Sequence, residues 1–162
     1  MIMDGHDMQK FSPSLLARRD FIKYATAGAA AVVALPAYAS DRIAKVNGKA
    51  IKGYDTTAYF HRGAPQKGSP STTVEWKGAT WQFATAADAE KFRSNPEGYS
   101  PQFGGFCTRA MSKGIVVNGD PEVWRIYGQH LYLFARPVGR DHFDKGEDAM
   151  IAKAKANWKK LK

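Results

Sequence analysis

Thr73-Val74-Glu75-Trp76-Lys77-Gly78-Ala79-Thr80-Trp81-Gln82-Phe83 is the stretch that decides the fold class. Side-chain type alternates along 73–76 and again along 80–83, the period of strands that bury one face. Lys77-Gly78-Ala79 separates the two runs, so the stretch predicts a β-hairpin with aromatics on both arms. The pattern then changes period. Thr85 with Asp88 three residues on has capping-box spacing, Asp replacing the commoner Glu. Ala86, Ala89 and Phe92 supply the apolar stripe of a helix, and Pro96 disfavours helical geometry at Asn95 and stops it there. A hairpin running into a short helix is the signature of an α+β domain.

Similar signals lie on either side. Val123–Ile126 and His130–Phe134 predict another hairpin around Tyr127-Gly128-Gln129. Phe103 to Lys113 reads as a helix opened by Gly104-Gly105, Ile115-Val116-Val117 as a β-branched strand, and Asn118–Pro121 as a loop. Asn47-Gly48 suits a tight turn between two short strands. Near the C-terminus Met150, Ile151, Ala154, Trp158 and Leu161 share an arc of about 100°, with the lysines outside it, which predicts an amphipathic helix over about 146–161. No internal repeat is evident. The expected architecture is one small α+β domain over 40–162, of short antiparallel hairpins packed with helices. Its central part is 53–134, and Trp76, Trp81, Phe83, Phe92, Tyr132 and Trp158 form the main core.

Composition limits what such a domain can be. Of 162 residues 44% are hydrophobic, enough for a folded core. The single cysteine excludes an internal disulfide and a four-cysteine zinc site. Past residue 39 there is no uninterrupted apolar run of about 18 residues, so this body is not expected to span a membrane. Arg18-Arg19-Asp20-Phe21-Ile22-Lys23 resembles the twin-arginine export motif. A mildly apolar stretch, Tyr24 to Leu35, follows, then Pro36 and the small-x-small site Ala37-Tyr38-Ala39. Residues 1–39 are therefore expected to be a signal peptide cleaved after Ala39, which places 40–162 in the periplasm. Lys+Arg number 24 and Asp+Glu 15, a net charge of +9. Outside the cytoplasm a positive field favours anionic lipid, cell-wall polymer or an acidic protein as partner, rather than nucleic acid.

Gly53-Tyr54-Asp55-Thr56-Thr57-Ala58-Tyr59-Phe60, Lys77 to Phe83, Phe92, Asn95-Pro96-Glu97-Gly98-Tyr99 and Pro101-Gln102-Phe103-Gly104-Gly105-Phe106-Cys107 occur in that order. They are followed by Ser112-Lys113-Gly114, Gly119-Asp120-Pro121 and Lys155-Ala156-Asn157-Trp158. With these motifs, the segment from Gly53 to Tyr132 resembles the YHS domain family, in particular its exported single-domain branch, and the likeness continues almost to the terminus. The resemblance implies a small α+β fold and a metal association. In the YHS modules fused to copper-transporting ATPases three cysteines carry that association. Their aligned positions here are Ala58, Ala84 and Asp88, so the resemblance brings the fold without that thiol set.

The chemistry left to the chain centres on Cys107. Near a helix start a thiol is biased towards the thiolate, which binds soft metals such as Cu(I). A buried cysteine with a packing role is the alternative. Cu(I) needs a second ligand, and His61, His130 and Met111 are the candidates. His142 falls in a charged turn, Arg140 to Lys145. Tyr54, Asp55 and Tyr59 are polar residues inside the most characteristic motif, available to a ligand, with Asp55 alternatively capping a helical turn. No Ser/His/Asp order, phosphate loop or paired-carboxylate motif is present, so an enzyme is the class supported least. The sequence therefore points to a non-catalytic periplasmic binding module for a metal ion, copper foremost, or a small ligand near Cys107. The alternative is a cationic envelope interaction protein with Cys107 buried and structural.

Overall fold

Asn47 and Gly48 both adopt left-handed backbone angles, φ 51° and 78°, and close the first hairpin between β1 (Lys45–Val46) and β2 (Lys49–Ala50). The computed structural model describes residues 42–161; the expected export segment and its cleavage site lie outside them. A 3-10 turn (Ile51–Gly53) leads to α1 (Ala58–His61), then to β3 (Ser69–Trp76) and β4 (Ala79–Phe83). Lys77 and Gly78 join these last strands at φ 49° and 65°, the double left-handed geometry that matches strand twist in two-residue hairpins. The four strands form one sheet in the order β1-β2-β4-β3, antiparallel except for one parallel bridge, Lys49 to Thr80.

The capping spacing at Thr85 is realised at the start of α2 (Ala86–Ser94). Thr85 Oγ1 accepts from the Asp88 N–H at 3.1 Å and donates to Asp88 Oδ2 at 2.7 Å. A one-turn helix, α3 (Pro96–Tyr99), a 3-10 turn (Gln102–Gly105) and α4 (Thr108–Met111) follow. A two-stranded sheet of β5 (Asp120–Tyr127) and β6 (His130–Phe134) precedes α5 (Pro137–Phe143) and α6 (Glu147–Trp158). The protein is thus α+β, as expected. Among the described residues no helix is long and apolar enough to cross a membrane.

Three local expectations are corrected. Residues 103–113 are not one helix: Phe103 and Gly104 turn left-handed at φ 56° and 61°, and only Thr108–Met111 is α-helical. The reason is tertiary. The Ala44 N–H donates to Gly104 O at 2.9 Å, and the chain at Arg42 passes so close to Gly104 that no Cβ fits. Ile115-Val116-Val117 is not a strand. Its ends are tied to α4 instead, Ile115 N–H to Ala110 O and Cys107 N–H to Val117 O, and its three side chains are exposed. The charged turn at 140–145 is largely helix α5, because Phe143 is drawn into the core while His142 stays outside.

A fourth correction concerns the whole plan, which is repeated within the chain. β3 and β4 pair Ser69 with Phe83, shift register, then pair Thr73 with Gln82 through to Trp76 with Ala79. β5 and β6 pair Asp120 with Phe134, shift register, then pair Trp124 with Leu133 through to Tyr127 with His130. Each hairpin runs directly into a helix, α2 or α5. Each is preceded by a 3-10 turn and a one-turn helix, α1 or α4. The isolated bridge Tyr54–Lys67 is answered by Phe106–Asn118, and the bond from Gly68 N–H to Gly53 O by that from Gly119 N–H to Gly105 O. The sequences correspond accordingly: Gly53-Tyr54-Asp55-Thr56 with Gly105-Phe106-Cys107-Thr108, Phe83-Ala84 with Phe134-Ala135, and Phe92 with Phe143.

Each half builds its own core. Trp81, Phe83, Phe92 and Tyr59 anchor one cluster, and their counterparts Tyr132, Phe134, Phe143 and Met111 anchor the other. β6 lies between them, sending Leu131 and Leu133 to the first cluster and Tyr132 and Phe134 to the second. Of the expected core, Trp81, Phe83, Phe92 and Tyr132 are buried. Trp76 and Trp158 are only half-buried, on the margins of separate clusters. Ile151 and Ala154 dock α6 on the second cluster, with its lysines outside.

Candidate functional site

Asp55 sits at the equivalent place in the first half to Cys107 in the second, and the contrast defines the site. The Asp55 carboxylate is fully buried. Its Oδ1 accepts from Thr57 N–H at 2.9 Å and Thr57 Oγ1 at 2.7 Å, and its Oδ2 accepts from Ala84 N–H at 2.9 Å. One side chain thereby fastens α1 to the end of β4. Of the two readings of Asp55, the capping one is what these bonds describe.

At Cys107 the backbone is the same and the side chain differs. Cys107 N–H donates to Val117 O at 2.7 Å, as Asp55 N–H does to Gln66 O at 2.8 Å. The thiol is buried and is the N-cap of α4, its Sγ accepting from Ala110 N–H at 3.5 Å. It does not reach across to β6. Among the described residues the Ala135 N–H, counterpart of Ala84, has no acceptor. A cleft of about 230 Å³ opens here beside Cys107. Ala110, Ile115, Val117, Ala135 and Val138 give it apolar walls, and Arg109, Lys113 and Arg136 give it cations. None of the three cations forms a salt bridge among the described residues. Thr108, next to Cys107, is fully buried with its hydroxyl unpartnered.

Of the expected copper ligands, the two histidines are not grouped with Cys107. Met111 is fully buried in the same cluster as Cys107. His61 lies instead beside Asp88, with Nε2 at 3.7 Å from Oδ1, and accepts from Arg62 Nε at 3.3 Å. His130 is exposed, 3.4 Å from Gln102 Nε2. Among the described residues no three His, Cys, Asp or Glu side chains are grouped so as to hold a metal ion. Of the three candidate second ligands, only the Met111 thioether, a soft donor, shares a cluster with the Cys107 thiol.

No family model, curated protein or solved structure matches the chain.

Tyr54 and Tyr59 each donate a hydrogen bond to the start of β5. Tyr54 Oη donates to Glu122 Oε1 at 2.6 Å, and that hydrogen bond, followed by partial burial, pushes the phenol up to about 12. Lys67 Nζ lies 4.8 Å over the Tyr54 ring. Tyr59 is buried and donates to Pro121 O at 2.9 Å; burial raises its phenol well above the ordinary value. Both hydroxyls thus tie the first half to the start of β5. Burial alone would raise the Asp88 carboxyl, but hydrogen bonds from Lys91 and Thr85 outweigh it and hold the group below its ordinary value. Arg109, Lys113, Arg136 and Gly139 escaped the sequence reading. Laying 53–92 against 105–143 would have found them, because they replace Thr57, His61, Thr85 and Asp88.

Proposed function

We propose that this chain is an exported, YHS-like, non-catalytic binding module whose ligand occupies the cleft beside Cys107. The observation that carries the reading is the cleft itself: an apolar hollow beside the one thiol, bordered by three cations that form no salt bridge among the described residues. Its volume is below the roughly 300–1,000 Å³ of sites for drug-sized molecules, so the ligand is small. Apolar walls favour an apolar body, and Arg109, Lys113 and Arg136 favour negative charge on it. Copper is supported less, since of its candidate ligands only Met111 shares a cluster with Cys107. The reading as an envelope interaction protein draws on a different observation: Ile115, Val116 and Val138 are 54%, 41% and 49% exposed beside the same cations.

The fluorescent probe anilinonaphthalene sulfonate combines an apolar body with one negative charge and tests occupancy. One equivalent should bind the folded chain with enhanced emission, and Ala110→Phe, which fills the cleft, should weaken binding at least tenfold while near-UV circular dichroism is retained. Undiminished binding to A110F, or none to the wild type, would remove the cleft as the ligand site.

A further inference from the structure

The two halves of the chain differ most where the cleft lies, and the differences share one electrostatic direction. In the first half Asp55 and Asp88 supply carboxylates, both almost fully buried. Their counterparts are Cys107 and Gly139, which carry no carboxylate, and both line the cleft. Thr57 and Thr85, whose hydroxyls donate to those carboxylates at 2.7 Å, are replaced by Arg109 and Arg136. His61, which lies beside Asp88, is replaced by Lys113. The second half has thus lost two acids and gained three full positive charges around one hollow. Residues 98–119 and 123–140 contain no Asp or Glu to balance them.

The backbone keeps the donor that a carboxylate satisfies in the first half. Ala84 N–H donates to Asp55 Oδ2 at 2.9 Å, whereas the Ala135 N–H has no acceptor among the described residues. Resting on the cleft as ligand site, we infer that the ligand is a carboxylate. Its head group takes the place that the Asp55 and Asp88 side chains fill in the first half, accepting from Ala135 N–H and pairing with Arg109 and Arg136. Planar guanidinium groups suit a carboxylate, which each can meet with two parallel hydrogen bonds. The apolar remainder lies against Ile115, Val117 and Val138. Hydrogen bonds to a charged acceptor in a partly desolvated cleft are stronger than those between neutral groups, so the head group dominates discrimination.

Restoring the missing acid within the chain tests this. Cys107→Asp returns the Asp55 arrangement, and Gly139→Asp returns that of Asp88. Gly139 tolerates the change, since a Cβ there meets Phe134 Cβ at 3.5 Å and Arg109 Cβ at 3.6 Å, ordinary contact distances. The full chain is titrated with octanoate and with octanol, read by amide NMR shifts. Octanoate should move the Arg109 and Ala135 amides and bind at least tenfold tighter than octanol, and G139D and C107D should each weaken octanoate at least tenfold. If C107D fails to fold, G139D decides. Equal binding of octanoate and octanol in the cleft, or undiminished octanoate binding by G139D, would overturn the carboxylate proposal while leaving the cleft as the site. No shift of any cleft amide with either probe would overturn the proposal and the site together.

Discussion

Gly104→Ala tests the kink that carries the chain towards Cys107. Gly104 has φ 61°, and a Cβ there would fall on Arg42 O, inside any permitted contact. A left-handed alanine costs roughly 1–2 kcal/mol. Moving the Arg42 backbone aside adds about 1–3 kcal/mol, by analogy with overpacked cores. The bond from Ala44 N–H to Gly104 O, at 2.9 Å, is strained or lost for about 1 kcal/mol more. The sum, about 3–6 kcal/mol, is a large part of the stability of a small domain. Gly128→Ala is the control, because Gly128 is also left-handed, at φ 54°, but has nothing within 4 Å of a Cβ. It should cost only the conformational share, about 1–2 kcal/mol. In urea, with m near 2 kcal/mol/M, the G104A midpoint should fall by about 2 M and that of G128A by less than about 1 M. Coincident melts of the two variants would refute the close approach of Arg42 and with it the account of why 103–113 is not one helix.

Phe92→Ala and Phe143→Ala, counterparts fully or almost fully buried in the two clusters, should each cost about 3–5 kcal/mol in denaturant melts, and Trp158→Ala, half-buried, about 2; a loss below about 1 kcal/mol for either Phe would contradict the two-core plan. Tyr54 should titrate by near-UV absorbance at about 12, and Glu122→Gln should bring it back towards 10; an unmoved titration would contradict the 2.6 Å bond. Because the folded phenol keeps its proton to higher pH than the unfolded one, its share of stability is complete below pH 10 and is lost as pH rises towards 12. Replacing both Arg18 and Arg19 by lysine should hold the precursor in the cytoplasm, and the exported protein should begin at Ser40; normal export of the double variant would contradict the twin-arginine reading.

Hairpins and caps were legible because their signals are local. Lys77-Gly78 needs only its neighbours to turn, and Thr85 needs only Asp88. Residues 103–117 were not, because distant backbone decides them: Gly104 is held by Arg42 and Ala44, and Val117 by Cys107. The internal repeat was hidden by substitutions that keep burial and change identity, Trp81 for Tyr132 and Tyr59 for Met111. Cys107 was picked out by being the only thiol, whereas its setting was not visible. Arg109, Lys113 and Arg136 look like ordinary surface cations until the fold brings them to one hollow. The histidines attracted attention for their chemistry, but no spacing linked them to Cys107, and they take Asp88 and Gln102 as neighbours.

On the proposed function, a small ligand with an apolar body lies in the cleft beside Cys107. Intermolecular NOEs between octanoate and the methyl groups of the folded chain test it most directly. The account predicts NOEs from the ligand chain to Ala110, Val117, Ala135 and Val138, and none to Val74 or Ala89 of the first half. Octanoate that binds with no NOE to these cleft methyls, or with NOEs to the first half instead, would contradict it.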